Sequence, residues 1–152
     1  MIRAGVIGAV GYAGRELIRL LGIHPEAELV AAIELESGKS LGEVMPALAK
    51  TTSVKLETFD AERLAEQCDV VFMALHGGTS MDLIPPLRQA GVKVIDMGPD
   101  FRLKNTADFK KYYGMEHRAP ELLDEAVYGL APYYRDQIAT TSLVAVPGCY
   151  VM

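Results

Sequence analysis

Apolar positions in this chain follow two alternating rhythms. Short runs rich in Val, Ile, Leu and Ala stand at 2–7, 28–33, 54–59, 69–75, 92–96 and from Leu143 onward. Runs of that length bounded by turn residues read as buried strands. Between them the apolar spacing turns helical. Leu17, Ile18, Leu20 and Leu21 mark one face of a helix over 12–21, which His24-Pro25 ends. Asp60 is placed as the N-cap of a short helix, and a further helix from about residue 80 to Ala90 is expected to be interrupted by Pro85-Pro86 and closed by Gly91. The stretch 42–50, broken by Pro46, reads as irregular. After Asp96 the rhythm changes to a loop over 97–103, a helix over 106–113, a second loop, an extended piece at 126–130, a helix over 132–138 and the last strand. Strands alternating with helices in this way predict right-handed βαβ units. The expectation is a Rossmann-like, doubly wound α/β domain over 1–152, with a mostly parallel sheet of about six strands.

Composition narrows the class of partner. Half of the 152 residues are apolar and 23% are charged, which suits one globular domain with its own core. The net charge of −5 and the lack of a Lys/Arg cluster argue against nucleic acid. No apolar run reaches the length of a bilayer span, and the first residues enter a strand without a signal-peptide pattern. Cys68 and Cys149 are the only cysteines, and they form no ligand pattern with His, so a disulfide framework or a metal site is not expected. A reducing cytoplasm fits that usage.

Two stretches carry candidate chemistry. Gly8, Gly11 and Gly14 lie between the first strand and the first helix, where glycines permit a tight turn and a helix N-terminus meets a pyrophosphate. The same spacing without a ligand would be a plain glycine turn. Glu34 closes the second strand, where an acid accepts hydrogen bonds from a ribose 2′-hydroxyl, unless it is simply a solvated carboxylate. At the other end, the run 143–146 leads through Pro147 and Gly148 to Cys149. A thiol delivered on a strand-end turn is a candidate nucleophile; the alternative is a small buried hydrophobe, the reading that suits Cys68 better. A dinucleotide loop and such a thiol together suggest acyl capture followed by hydride transfer. His76 and His117 are both open as proton carriers, His24 reads as structural, and Arg102 is either an anion clamp or a paired surface cation.

Several stretches, in order and spanning nearly the whole chain, resemble the N-terminal part of the N-acetyl-gamma-glutamyl-phosphate reductase family. They are GAVGYAGRELIRLL at 8–21, SGKSLGEVMPAL at 37–48, GPDFRL at 98–103, YYGMEHRAPELLDEAVYGLAP at 112–132 and LVAVPGCY at 143–150. The resemblance implies reductive dephosphorylation. The thiolate of Cys149 takes the acyl group of an acyl phosphate, and NADPH reduces the resulting thioester to a semialdehyde. It places Gly8, Gly11, Tyr12, Ala13 and Gly14 on the dinucleotide, and Lys39, with Ser37, near its adenosine phosphate. NADP(H) is thereby implied, while Glu34 leaves NAD(H) open. Arg102 and His117 are carried as candidate substrate contacts. The sequence departs from the family at Val10, at Met97-Gly98-Pro99, at His76-Gly77-Gly78 and at Val151-Met152 after the cysteine. Family members are about twice as long, so a C-terminal substrate and dimerisation domain is expected beyond this stretch, and with it a homo-oligomer. Two alternatives accompany this reading: an isolated nucleotide-binding module without turnover, and the N-acetyl-aminoadipyl-phosphate reductase of lysine synthesis.

Overall fold

The computed structural model describes residues 1–34, 39–48 and 52–152. Along the chain run β1 (Ile2–Ile7), α1 (Tyr12–Leu21), β2 (Ala27–Ile33), α2 (Leu41–Val44), β3 (Leu56–Glu57), α3 (Ala61–Gln67), β4 (Val70–Met73), α4 (Ser80–Gln89), β5 (Lys93–Asp96), α5 (Thr106–Tyr113), β6 (Val127–Tyr128), α6 (Ala131–Thr140) and β7 (Leu143–Ala145), with short 3-10 turns at Pro46–Leu48 and Pro120–Leu122. The strands form one sheet in the order β3-β2-β1-β4-β5-β7-β6, and every pair is parallel. The seventh strand, one more than expected, is the short extended piece at 127–128, which pairs alongside β7 at the sheet edge. The order reverses between β1 and β4, the crevice where ligands bind in open sheets of this kind.

Each face of the sheet has its own core. On one, Leu64 of α3, Met81, Ile84 and Leu87 of α4 and Phe109 of α5 pack with Ile7, Val71, Met73, Val94 and Leu143. On the other, Ile18 and Leu21 of α1 and Leu41 of α2 pack with Ala4, Val6 and Ala32. Burial on both faces explains why the strands read as unbroken apolar runs.

Three local expectations are corrected. Pro85 and Pro86 do not interrupt α4, which runs through them. The burial of Met81, Ile84 and Leu87 on one face outweighs the helix hydrogen bonds that the prolines cannot donate. The stretch after Ser40 is partly helical rather than irregular, because Ser40 and Glu43 close a capping box. The third strand shrinks to Leu56–Glu57. The Asp60 N-cap stands, its carboxylate accepting from the Arg63 N–H at 3.1 Å.

Candidate active site

The carboxyl ends of β1, β2, β4, β5 and β7 open on one edge of the sheet, and the chemistry-bearing residues gather there. The loop after β1 leans on the end of β2. The N–H groups of Gly8 and Ala9 both donate to the Ile33 carbonyl, at 3.0 and 3.3 Å. Gly8 has φ of +81°, and a Cβ there would lie 2.4 Å from the Ala74 carbonyl oxygen. A Cβ on Gly14 would lie 2.2 Å from the Gly8 carbonyl oxygen. These two positions therefore require glycine: one for the turn, the other so that α1 can start against the loop. Among the described residues no side chain caps α1, whose N-cap is Gly11. Its first-turn N–H groups are thus left for a ligand, and a pyrophosphate fits them by charge and by hydrogen bonding. Ala13 belongs to that turn, and Tyr12 stands almost fully exposed at its head.

Glu34 is half-buried at the end of β2, and its Oε2 accepts from the Val10 N–H at 3.2 Å. The carboxylate is therefore turned into the loop. Together with Gly8, Thr58, Phe59, His76 and Thr79 it lines a cavity of about 450 Å³, a size suited to a small ligand. Lys39 is exposed, and its carbonyl accepts from the Leu56 N–H at 2.8 Å. Ser37 lies outside the described residues.

At the far side of the same edge, β7 ends, Pro147 is buried, and Cys149 is exposed on the turn that follows. Cys68, by contrast, is buried, and burial pushes its thiol up to about 11. The Val146 N–H donates to the Asp96 carbonyl at 2.8 Å, extending the β5–β7 ladder to the base of the turn.

Arg102 and His117, the candidate substrate contacts, are both bonded within the protein. The Arg102 guanidinium donates from Nε to the Val146 carbonyl at 2.7 Å and from Nη2 to the Met97 carbonyl at 3.0 Å, so two of its nitrogens are bonded to the backbone. His117 is buried, edge-on to the rings of Phe101 and Phe109. Its Nδ1 accepts from the Ala119 N–H and its Nε2 donates to the Asp100 carbonyl at 2.9 Å, so both ring nitrogens are engaged within the protein. His76 is the histidine that lies exposed at the cavity.

Two buried acids went unnoticed in the sequence. Asp100, fully buried, accepts the Gly78 N–H on both carboxylate oxygens, at 2.8 and 3.0 Å. Asp96 accepts from Ser80 Oγ at 2.9 Å and from the Gly98 N–H at 3.0 Å through Oδ1, while its Oδ2 is buried without a hydrogen-bond partner among the described residues. Burial pushes its carboxyl up to about 6, against the lowering effect of those two bonds. An acid closing a buried strand, and another in the loop after it, were the available signal.

Known proteins share this chain's sequence and fold. The family described as "Semialdehyde dehydrogenase, NAD binding domain" matches residues 3–141. Proteins named N-acetyl-gamma-glutamyl-phosphate reductase from Acidithiobacillus ferrooxidans and Polynucleobacter asymbioticus are 48% and 46% identical over 99% of this chain. The chain spans 44% and 43% of their lengths. Among solved structures, aspartate semialdehyde dehydrogenase II from Vibrio cholerae, in complex with ASA, superposes with a TM-score of 0.63 at 20% identity, over 99% of this chain and 42% of that one. The Candida albicans aspartate semialdehyde dehydrogenase with NADP gives 0.60 at 22% identity, over 78% of this chain and 40% of that one. The chain belongs to the semialdehyde dehydrogenase NAD-binding domain family.

Proposed function

We propose that this chain is the cofactor-binding part of an acyl-phosphate reductase of arginine biosynthesis, which converts N-acetyl-glutamyl 5-phosphate to N-acetyl-glutamate 5-semialdehyde. The observation that carries the reading is the shared edge: an uncapped helix behind a glycine loop and an exposed thiol on a strand-end turn open on the same side of one parallel sheet. The names of the relatives supply the substrate class. In this reading the Cys149 thiolate attacks the acyl carbon, the bond to the phosphate oxygen breaks, and inorganic phosphate leaves a thioester on Cys149. A dinucleotide held by the first turn of α1 would supply the hydride that takes the thioester carbonyl to the aldehyde level, with Cys149 leaving as thiolate. The first turn of α1, with Gly8, Gly11, Tyr12, Ala13 and Gly14, holds the pyrophosphate. His76 is the proton carrier that the cavity offers.

The cofactor we propose is NADP(H), as the resemblance implies, with Lys39 and Ser37 toward the 2′-phosphate. NAD(H) is the second reading, and the inward-turned Glu34 favours it. Substrate walls and assembly into a homo-oligomer belong, in this reading, to the length that the relatives carry beyond this chain. The test is Cys149→Ala in the chain carried on to that full length. Reduction should be abolished while dinucleotide affinity stays within about twofold, because the thiol lies apart from the glycine loop. Turnover near that of the unsubstituted protein would end the reading.

A further inference from the structure

One residue of the glycine loop is held from two sides by opposite charges. Val10 packs its side chain against the core around Ile18 and Leu41, so its peptide is the polar part it offers. The Val10 N–H donates to Glu34 Oε2 at 3.2 Å, and the Val10 carbonyl accepts from Arg15 Nε at 2.6 Å. Arg15 is the fourth residue of α1. Helical side chains lean toward the N-terminus of their helix, which brings this one back over the loop. A guanidinium has five N–H donors, and the bond to Val10 uses one of them. Among the described residues the two Nη nitrogens of Arg15 meet no acceptor. The side chain is exposed, in a groove it shares with Tyr12 and Pro46. Arg19, one turn further along α1, is engaged differently: its Nε and Nη2 both close on the Glu16 carboxylate, at 2.9 and 2.6 Å. Lys39, the cation proposed above for the same region, has an acid of its own to face. The bonds from Ser40 hold the Glu43 carboxyl low, and the charge of Lys39 adds to that.

We propose that Arg15 is a specificity-determining residue of the dinucleotide site: Nε anchors the side chain to the Val10 carbonyl, and the two Nη nitrogens take the 2′-phosphate of NADP(H) beside Glu34. The proposal rests on the functional reading above and deepens it at the same site. In sheets of this kind the ribose 2′-position meets the end of the second strand, and an arginine nearby is what admits a phosphate there. Glu34 and Arg15 hold the two ends of one residue, so a ribose that reaches Glu34 lies next to the guanidinium. A fork already fixed by one nitrogen loses little freedom when the other two close on a phosphate, and it can do so bidentately. The acid and the phosphate are then compatible. Glu34 keeps its carboxylate on the Val10 N–H, and Arg15 supplies the positive charge that the phosphate needs beside it.

The test uses the chain carried on to the length of its relatives, unsubstituted and as Arg15→Gln and Arg15→Lys, each titrated with NADP and with NAD. Arg15→Gln should weaken NADP by about tenfold to a hundredfold, the loss expected for a hydrogen bond to a charged group, and leave NAD within about twofold. The loss should shrink as salt rises, because the groove is open to solvent. Arg15→Lys keeps the charge without the fork, so it should weaken NADP by less, again with NAD unchanged. It carries the test if the Gln variant does not fold. A residue that only braced the loop through Val10 would weaken both dinucleotides alike, so equal losses overturn the proposal, as does an NADP affinity unchanged in Arg15→Gln. NAD bound more tightly than NADP by the unsubstituted protein also overturns it, while the acyl-phosphate reductase reading stands with NAD(H) as its cofactor. Binding of neither dinucleotide overturns the functional reading itself, and this proposal with it.

Discussion

At the scale of the residue, two carboxyl groups do most to shape the site. Glu34 meets the Val10 N–H inside the glycine loop. A 2′-phosphate about 5 Å away, at an effective dielectric near 20, would be repelled by about 3 kcal/mol, about a hundredfold in affinity. Lys39, exposed and five residues on, is the cation proposed to offset this. Titration with NADP and NAD at low and moderate salt separates the readings. NADP should bind at least as tightly as NAD, and Lys39→Ala should weaken NADP alone; tighter NAD, with Lys39→Ala silent, makes Glu34 a ribose ligand. Asp96 gives a second prediction. Burial raises its folded-state pKa from 3.8 to about 6, so the folded chain holds a proton that the unfolded chain releases sooner. Its contribution is fully favourable below pH 3.8 and is lost as pH rises toward 6, by about 3 kcal/mol in all. Other carboxyls pull the opposite way, as Arg3 does in holding Asp69 down to about 2. The readout is therefore the difference between two chains. In urea unfolding, Asp96→Asn should gain stability relative to the unsubstituted chain between pH 4 and pH 6.5. Parallel stability curves would remove Asp96 as the titrating group.

At the scale of the element, what the sequence makes legible is what local physics fixes. The bounds of β1 and α1 follow from an apolar run, three glycines and a helical stripe, and they appear at Ile2–Ile7 and Tyr12–Leu21 as read. The helix at 106–113 and the Asp60 cap were equally plain. The errors fell where packing or a side chain overrides local preference. α4 keeps its prolines because three buried side chains hold it to the sheet. α2 exists because Ser40 and Glu43 cap each other, a pattern present in the sequence and passed over. Within the site, the glycine loop and the cysteine turn stand at strand ends, where the pattern puts them. The partners of Asp100, Arg102 and His117 were not legible. Each bond joins residues at least 17 apart in sequence, except the one from Arg102 to Met97 and the His117–Ala119 contact. Nothing in the spacing says whether a loop arginine meets a ligand or a carbonyl.

At the scale of the whole molecule, the two faces of the sheet are unequally covered. α1 lies on β1 and β2. Beyond it Val70, Phe72 and Ile95 remain half-buried, and a largely apolar cavity of about 530 Å³ opens at the amino ends of the strands, away from the glycine loop and Cys149. An apolar hollow of this kind favours association when left in water. Sedimentation of this chain should show concentration-dependent self-association, reduced by Leu20→Glu at the rim, where Leu20 is 45% exposed. A strict monomer at high concentration would contradict that. The central claim concerns Cys149 and acyl capture. Its most direct test is intact-mass measurement of the chain carried on to the length of its relatives, mixed with N-acetyl-glutamyl phosphate and no dinucleotide. The account predicts about one equivalent of phosphate released at once, with an N-acetyl-glutamyl adduct on Cys149 that disappears in Cys149→Ala. An adduct at another residue, or reduction of the acyl phosphate by Cys149→Ala, would contradict it.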